Sequence, residues 1–148
     1  MGIINMVKNI KEIHPKDILL IKVGTFYYTY EKDAYIVSYL FNYKLSKVND
    51  VYSCGFPISR LNKVISQLEH KQINYIVLDK RNNYDVDNKS NNKNLNKYDK
   101  FLEKAREKIN YDLRVEQIVE YLQLNRENKN VILEMEKWII EKRKVSSN

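Results

Sequence analysis

Ile18-Leu19-Leu20-Ile21-Lys22-Val23-Gly24-Thr25-Phe26-Tyr27-Tyr28-Thr29-Tyr30 is the stretch on which the fold turns. Six largely β-branched and aliphatic residues stopped by a glycine predict a mostly buried strand over 18–23. Phe26 to Tyr30 predicts a second strand paired with it. Tyr27 and Tyr30 are read as alternating with Phe26 and Tyr28, so that one of the two pairs faces inward.

Working outward, Glu31 and Asp33 stand where carboxylates favour a helix N-terminus, and Ala34, Val37, Leu40 and Phe41 trace one helical face, which predicts a helix over about 31–42. Short strands are expected at Lys44–Lys47 and Val51–Cys54 around the turn-forming Asn49-Asp50, with Gly55-Phe56-Pro57 breaking the chain. Leu61, Val64, Ile65 and Leu68 repeat at helical spacing with Ser59 as a cap, and Ile73–Leu78 gives another buried strand. On the N-terminal side, Ile3, Met6, Ile10 and Ile13 share a helical face that His14-Pro15 ends. The order β, β, α, β, β, α, β implies an α/β (α+β) fold: a small mixed β-sheet with flanking helices, over residues 1–81.

Residues 82–96 shift to Asn, Lys and Asp and read as a solvated linker. Beyond it, 97–148 reads as a helical segment of two or three helices, with a turn at Asn125–Asn130. Two helices carry little core and need something to lean on. Leu122, Met135 and Trp138 are its candidate partner-binding residues, Trp138 as a packing or interface anchor. The implied partner is another protein or a second copy of the chain.

The 148 residues leave room for one ordinary domain, or a small domain with an appendage. Net charge is +7, from 26 Lys and Arg against 19 Asp and Glu, which favours an acidic partner such as nucleic acid. Residues 1–81 carry 12 basic and 7 acidic side chains, so most of the excess lies in the N-terminal part. One cysteine, Cys54, read as a buried strand residue, excludes an internal disulfide. With only His14 and His70 beside it, no metal-ligand set is legible. A reducing cytoplasm fits, and neither a signal peptide nor a membrane span is legible.

Only Gly2, Gly24 and Gly55 are glycines, so neither a phosphate-cradling loop nor a dinucleotide fingerprint is possible, and no local nucleophile signature surrounds either histidine. The expected protein is not an enzyme and takes no cofactor.

The lead-in His14-Pro15, the apolar strand, Gly24-Thr25-Phe26-Tyr27, the acidic, alanine-containing helix and then Gly55-Phe56-Pro57 before an amphipathic helix keep their order from His14 to Lys80. In that order and spacing the chain resembles the N-terminal mismatch-recognition domain of MutS DNA-repair proteins, without the clamp and ATPase. The resemblance implies that Phe26 is the aromatic wedge that enters the minor groove and stacks on a mispaired base. Tyr28 stands where the family has a glutamate that bonds the base, and Thr25 where it has an aspartate. A wedge costs a few kcal/mol of unstacking, least at a mismatch, and an aromatic ring recovers about 1–3 kcal/mol by stacking.

From pattern alone Phe26, beside a glycine after a buried strand, is more often a core residue than a wedge; the resemblance brings the two readings level, and both stay open. Lys22, Lys32, Lys44, Lys47, Arg60, Lys63 and Lys71 are candidate phosphate contacts; a solvated lysine face is the other reading. The expected partner is double-stranded DNA, mismatched or distorted, in repair or processing. The competing expectation is an adaptor or assembly subunit that keeps the fold and has lost DNA contact.

Overall fold

The computed structural model describes residues 2–90 and 95–146, so part of the expected linker, 91–94, lies outside the described residues. The chain divides into two compact units, residues 1–108 and 109–148.

The first unit is built on one sheet. Its strands are β1 (Ile18–Val23), β2 (Phe26–Tyr30), β3 (Leu45–Val48), β4 (Val51–Pro57), β5 (Tyr75–Asp79) and β6 (Asp85–Lys89). They lie in the order β3-β4-β2-β1-β5-β6, with β1 and β5 parallel and every other neighbour antiparallel. The mixed sheet that the sequence implies is present, with one strand more than expected.

Local chemistry sets the turns. Val23 pairs with Phe26 across a two-residue turn in which Gly24 takes φ +65°, a conformation open to glycine. Asn49 and Asp50 both adopt positive φ, 52° and 62°, as the two central residues of a primed hairpin turn between β3 and β4 require.

Three local expectations give way. Gly55-Phe56-Pro57 does not break the chain; it is the last part of β4, and Pro57 costs no ladder bond worth keeping because it ends the strand. Ser59 caps nothing: it lies in a single 3-10 turn, Ile58–Arg60, with no side-chain cap, which leads into helix α3 (Leu61–His70). Asp85–Lys89, inside the expected linker, pairs with β5 as an edge strand. Its residues are all exposed, so the composition matches a loop while the backbone bonds of Ile76–Asp79 find a partner.

Each face of the sheet has its own core. On one face Ile18 and Leu20, Tyr27, Cys54 and Phe56, and Tyr75 and Val77 pack under α2 (Lys32–Phe41) and α3. On the other, Leu19, Ile21, Ile76 and Leu78 meet α1 (Ile3–Ile13) through Val7, Ile3 and Ile10. The contact stripe of α1 is therefore i, i+4, i+7 from Ile3. Ile13, expected on that stripe, is 75% exposed.

Helix α4 runs unbroken from Tyr98 to Leu124, and its first turns belong to the first unit: Tyr98, Phe101, Leu102 and Ala105 are buried, the first three in the α2/α3 core. The anchor is polar. The Asp33 carboxylate, 1% exposed, accepts from Lys11 Nζ (2.9 Å), the Leu19 amide (3.0 Å) and the Tyr98 hydroxyl (2.6 Å), joining α1, β1, α2 and α4. Burial pushes the Asp33 carboxyl up, with Lys11 and its hydrogen bonds opposing, and burial beside Asp33 likewise pushes up the Tyr98 hydroxyl. The compact unit therefore extends to Lys108, beyond the boundary expected at Arg81.

The second unit comprises the rest of α4 and α5 (Lys129–Ser146). Asn125 Nδ2 donates to the Tyr121 carbonyl (2.8 Å), and Asn128 Oδ1 accepts from the Val131 amide (3.3 Å) at the start of α5, closing the expected turn. Among the described residues, none beyond Ala105 is buried. None of the described helices is long and apolar enough to cross a membrane.

Candidate nucleic-acid interface

Strand pleating decides which rings are free. Tyr27 (4% exposed) and Thr29 point into the α2/α3 core, which leaves Phe26, Tyr28 and Tyr30 together on the opposite face. Tyr30 thus goes with Phe26 and Tyr28, correcting its expected pairing with Tyr27, as a period of two demands. Tyr30 is packed against the α1 core.

Phe26 is 38% exposed and its ring stacks with that of Tyr28, centroids 6.1 Å apart and planes at 28°. The neighbouring position on β4 is Gly55, paired with Tyr28. A Cβ built on Gly55 would stand 2.7 Å from Tyr28 Cε1, so the ring of Tyr28 lies where a side chain at 55 would be. Tyr30 pairs with Ser53 and Phe26 with Pro57, so small residues flank the rings and nothing bulky stands over them from β4.

The strands also define an end of the sheet. Parallel β1 and β5 finish at Val23 and Asp79, antiparallel β2 begins at Phe26, and β4 finishes at Pro57. The Ile58 amide donates to the Thr25 carbonyl (3.1 Å), tying the segment after β4 to the hairpin turn. Phe26 therefore sits on a rim with Arg60 on one side. On the other side Lys22, Gly24, Lys80 and Arg81 line a cleft that also holds Asp79, whose carboxylate accepts from the Arg81 amide (2.9 Å).

Of the expected cations, Lys22 and Arg60 belong to this rim, and Lys44 before β3 and Lys63 in the first turn of α3 lie toward the same end. Arg60 stands 6.0 Å from the Tyr43 centroid, on the side of the α2/α3 core. The structure does not bring Lys32, Lys47 or Lys71 there. Lys32 follows the far end of β2, in a cleft with Lys8, Lys11 and Glu31, and Lys71 follows the far end of α3. Lys47 pairs with Tyr52, its Nζ 5.1 Å from that ring and 3.9 Å from Asp50. Lys80 and Arg81 join the rim without having been expected there. Two consecutive cations directly after an apolar strand were their signal, and the parallel pairing of β1 with β5, which brings them beside Gly24, is not local information.

No group of His, Cys, Asp and Glu among the described residues could hold a metal ion. Cys54 is 1% exposed, and burial pushes its thiol up to about 12, well away from a reactive thiolate.

Leu122 and Met135 line an apolar groove of the second unit with Ile118 and Tyr121, and Trp138, 54% exposed, lies one turn from Met135.

An α+β domain that presents an exposed aromatic beside a glycine turn, at the end of its sheet, defines a class of ring-presenting modules. The family model for MutS domain I matches residues 1–110, and the chain belongs to that family. The match runs past Arg81 through β6 and the buried turns of α4, in step with the compact unit that ends at Lys108. No curated protein shows significant similarity to the chain.

Proposed function

We propose that the protein is a non-catalytic DNA-binding protein acting in DNA repair or processing in the cytoplasm, and that Phe26 is its wedge. The observation that supports this most is the placement of Phe26: exposed, next to the hairpin turn, at the end of the sheet where β1 and β5 finish. Lys22, Arg60, Lys80 and Arg81 contact phosphates on either side, with Lys44 and Lys63 extending the track. Lys32 and Lys47 contribute only to the long-range field.

Tyr28 changes what the wedge reads. A carboxylate in its place would accept from a base edge, whereas a ring lying over Gly55 and stacked with Phe26 offers a second flat surface. The protein therefore selects DNA by ease of unstacking, at mismatched or otherwise distorted steps, more than by the identity of the mispair.

Titration of fluorescent duplexes, one fully paired and one with a single mismatch, at two salt concentrations tests this. Phe26→Ala should lose about 1–3 kcal/mol of binding, mostly on the mismatched duplex. Lys80→Ala and Arg81→Ala should each reduce the salt slope by about 1 on both duplexes. No binding at low salt, where phosphate contacts are strongest, sinks the proposal. The adaptor reading, favoured by the apolar exposure of α5, would then stand.

A further inference from the structure

The second unit carries too much apolar surface for a finished structure. Tyr111, Val115, Ile118 and Leu122 follow one another at spacings of four, three and four, a coiled-coil seam on α4, and Val131, Met135 and Trp138 do the same on α5. One seam suffices to pair two helices. Yet Val119 and Leu133 stay about half exposed, Ile139 is 40% exposed and Ile140 44%. The groove between α4 and α5, floored by Ile118, Tyr121, Leu122 and Met135 with Arg114 and Gln117 beside them, is open to solvent.

Charge indicates what covers it. Residues 109–124 contain Asp112, Glu116 and Glu120 against Arg114, a net of −2; residues 129–146 contain Lys129, Lys137, Lys142, Arg143 and Lys144 against Glu134, Glu136 and Glu141, a net of +2. A nucleic acid has no reason to choose a surface whose net charge is zero. A second copy does, because its basic α5 complements the acidic part of α4, and a two-fold axis repeats that contact.

We propose that residues 109–146 are a self-association surface, on which two copies close an antiparallel four-helix bundle with α5 of each against the acidic part of α4 of the other. Two-fold closure covers both grooves at once and leaves no open end for a third copy. Trp138, the only tryptophan of the chain and half exposed in one copy, becomes buried on association and reports it independently of mass.

Sedimentation equilibrium of the full chain, with tryptophan emission measured over the same concentration range, tests the proposal. A monomer–dimer equilibrium, with emission shifting to the blue as dimer forms, is expected. Ile118→Asp, in the groove, should weaken the dimer at least tenfold, while Val48→Asp, at the exposed β3–β4 turn, should leave it unchanged. Two charge-reversed chains, Glu116→Lys with Glu120→Lys and Lys137→Glu with Lys142→Glu, keep every apolar residue. Each alone should dimerise less tightly than wild type, and their mixture should form the mixed dimer preferentially. A monomer at every concentration, growth beyond dimers, a dimer indifferent to Ile118→Asp, or reversed chains that ignore each other would each overturn it.

Discussion

Every buried side chain among the described residues lies at or before Ala105, although α4 continues without a break to Leu124. The two halves of that one helix obey the same propensities and differ in what they meet. Its first turns find a core prepared by α2, α3 and the sheet, and the Tyr98 hydroxyl finds Asp33. The later turns carry an apolar stripe too, and none of their described side chains is buried. Helical periodicity tells where a helix can form, and burial tells which part of it belongs to the domain.

That contrast is most severely tested by cutting the chain. A fragment ending at Arg81 lacks β6 and the buried turns of α4, and should lose cooperative unfolding altogether; one ending at Asn110 should retain it, as denaturant titration followed by circular dichroism will read. Equal behaviour of the two fragments would dissolve the distinction between the halves of α4.

Next in size is Asp33→Ala, which leaves the Tyr98 hydroxyl without its acceptor and the Lys11 ammonium without its carboxylate, holding the Asp17 carbonyl (2.6 Å), and should cost about 3–5 kcal/mol of stability, read from the urea midpoint of the full chain. If Asp33 anchors only the first unit, the tryptophan signal of Trp138 at fixed protein concentration should move much less than the tyrosine signal.

Alkaline pH probes the core of the first unit. Burial pushes the Tyr75 hydroxyl, bonded to Glu69 at 2.7 Å, up to about 12 and the Cys54 thiol up to about 12, from ordinary values of 10.0 and 9.0. Both groups are held protonated by the fold, so the unfolded chain releases these protons first. Their contribution is intact below about pH 9 and is lost as pH rises toward 12, each group costing up to about 1.4 kcal/mol for every pH unit between its ordinary and its raised value. Urea midpoints measured across that range should fall; a flat profile would mean that these side chains are wet.

The smallest effect expected is that of Gly55→Ala, because the atom it meets belongs to a tyrosine ring that can swing. It should cost about 1–3 kcal/mol by overpacking, and Tyr28→Ala in the same chain should remove most of that cost. Additive losses would show that the ring does not rest on the glycine.

The sheet was legible because β1 and β5 are apolar runs and Gly24 and Asn49-Asp50 are explicit turns. β6 was not, since an edge strand held by backbone bonds alone leaves no apolar signature. The far side of the Phe26 rim was hidden for a different reason: Lys80 and Arg81 stand beside Gly24 only because the chain crosses over and returns parallel. Tyr30 needed nothing beyond the sequence, because strict alternation through a five-residue strand puts it on the face of Phe26 and Tyr28.

The Asp33–Tyr98 hydrogen bond also sets an order of events. Its partners are 65 positions apart, and β1 cannot gain its parallel neighbour before Asp79 has been made. During synthesis from the N-terminus, at about 5–20 residues per second, the β1–β2 hairpin must therefore wait for seconds with one edge of its most apolar strand unpaired. The rim that carries Phe26 exists as an incomplete structure on the ribosome until β5 arrives, and it is locked only when the first turn of α4 emerges. Slowing translation between residues 30 and 98 would lengthen the exposure of this apolar strand edge.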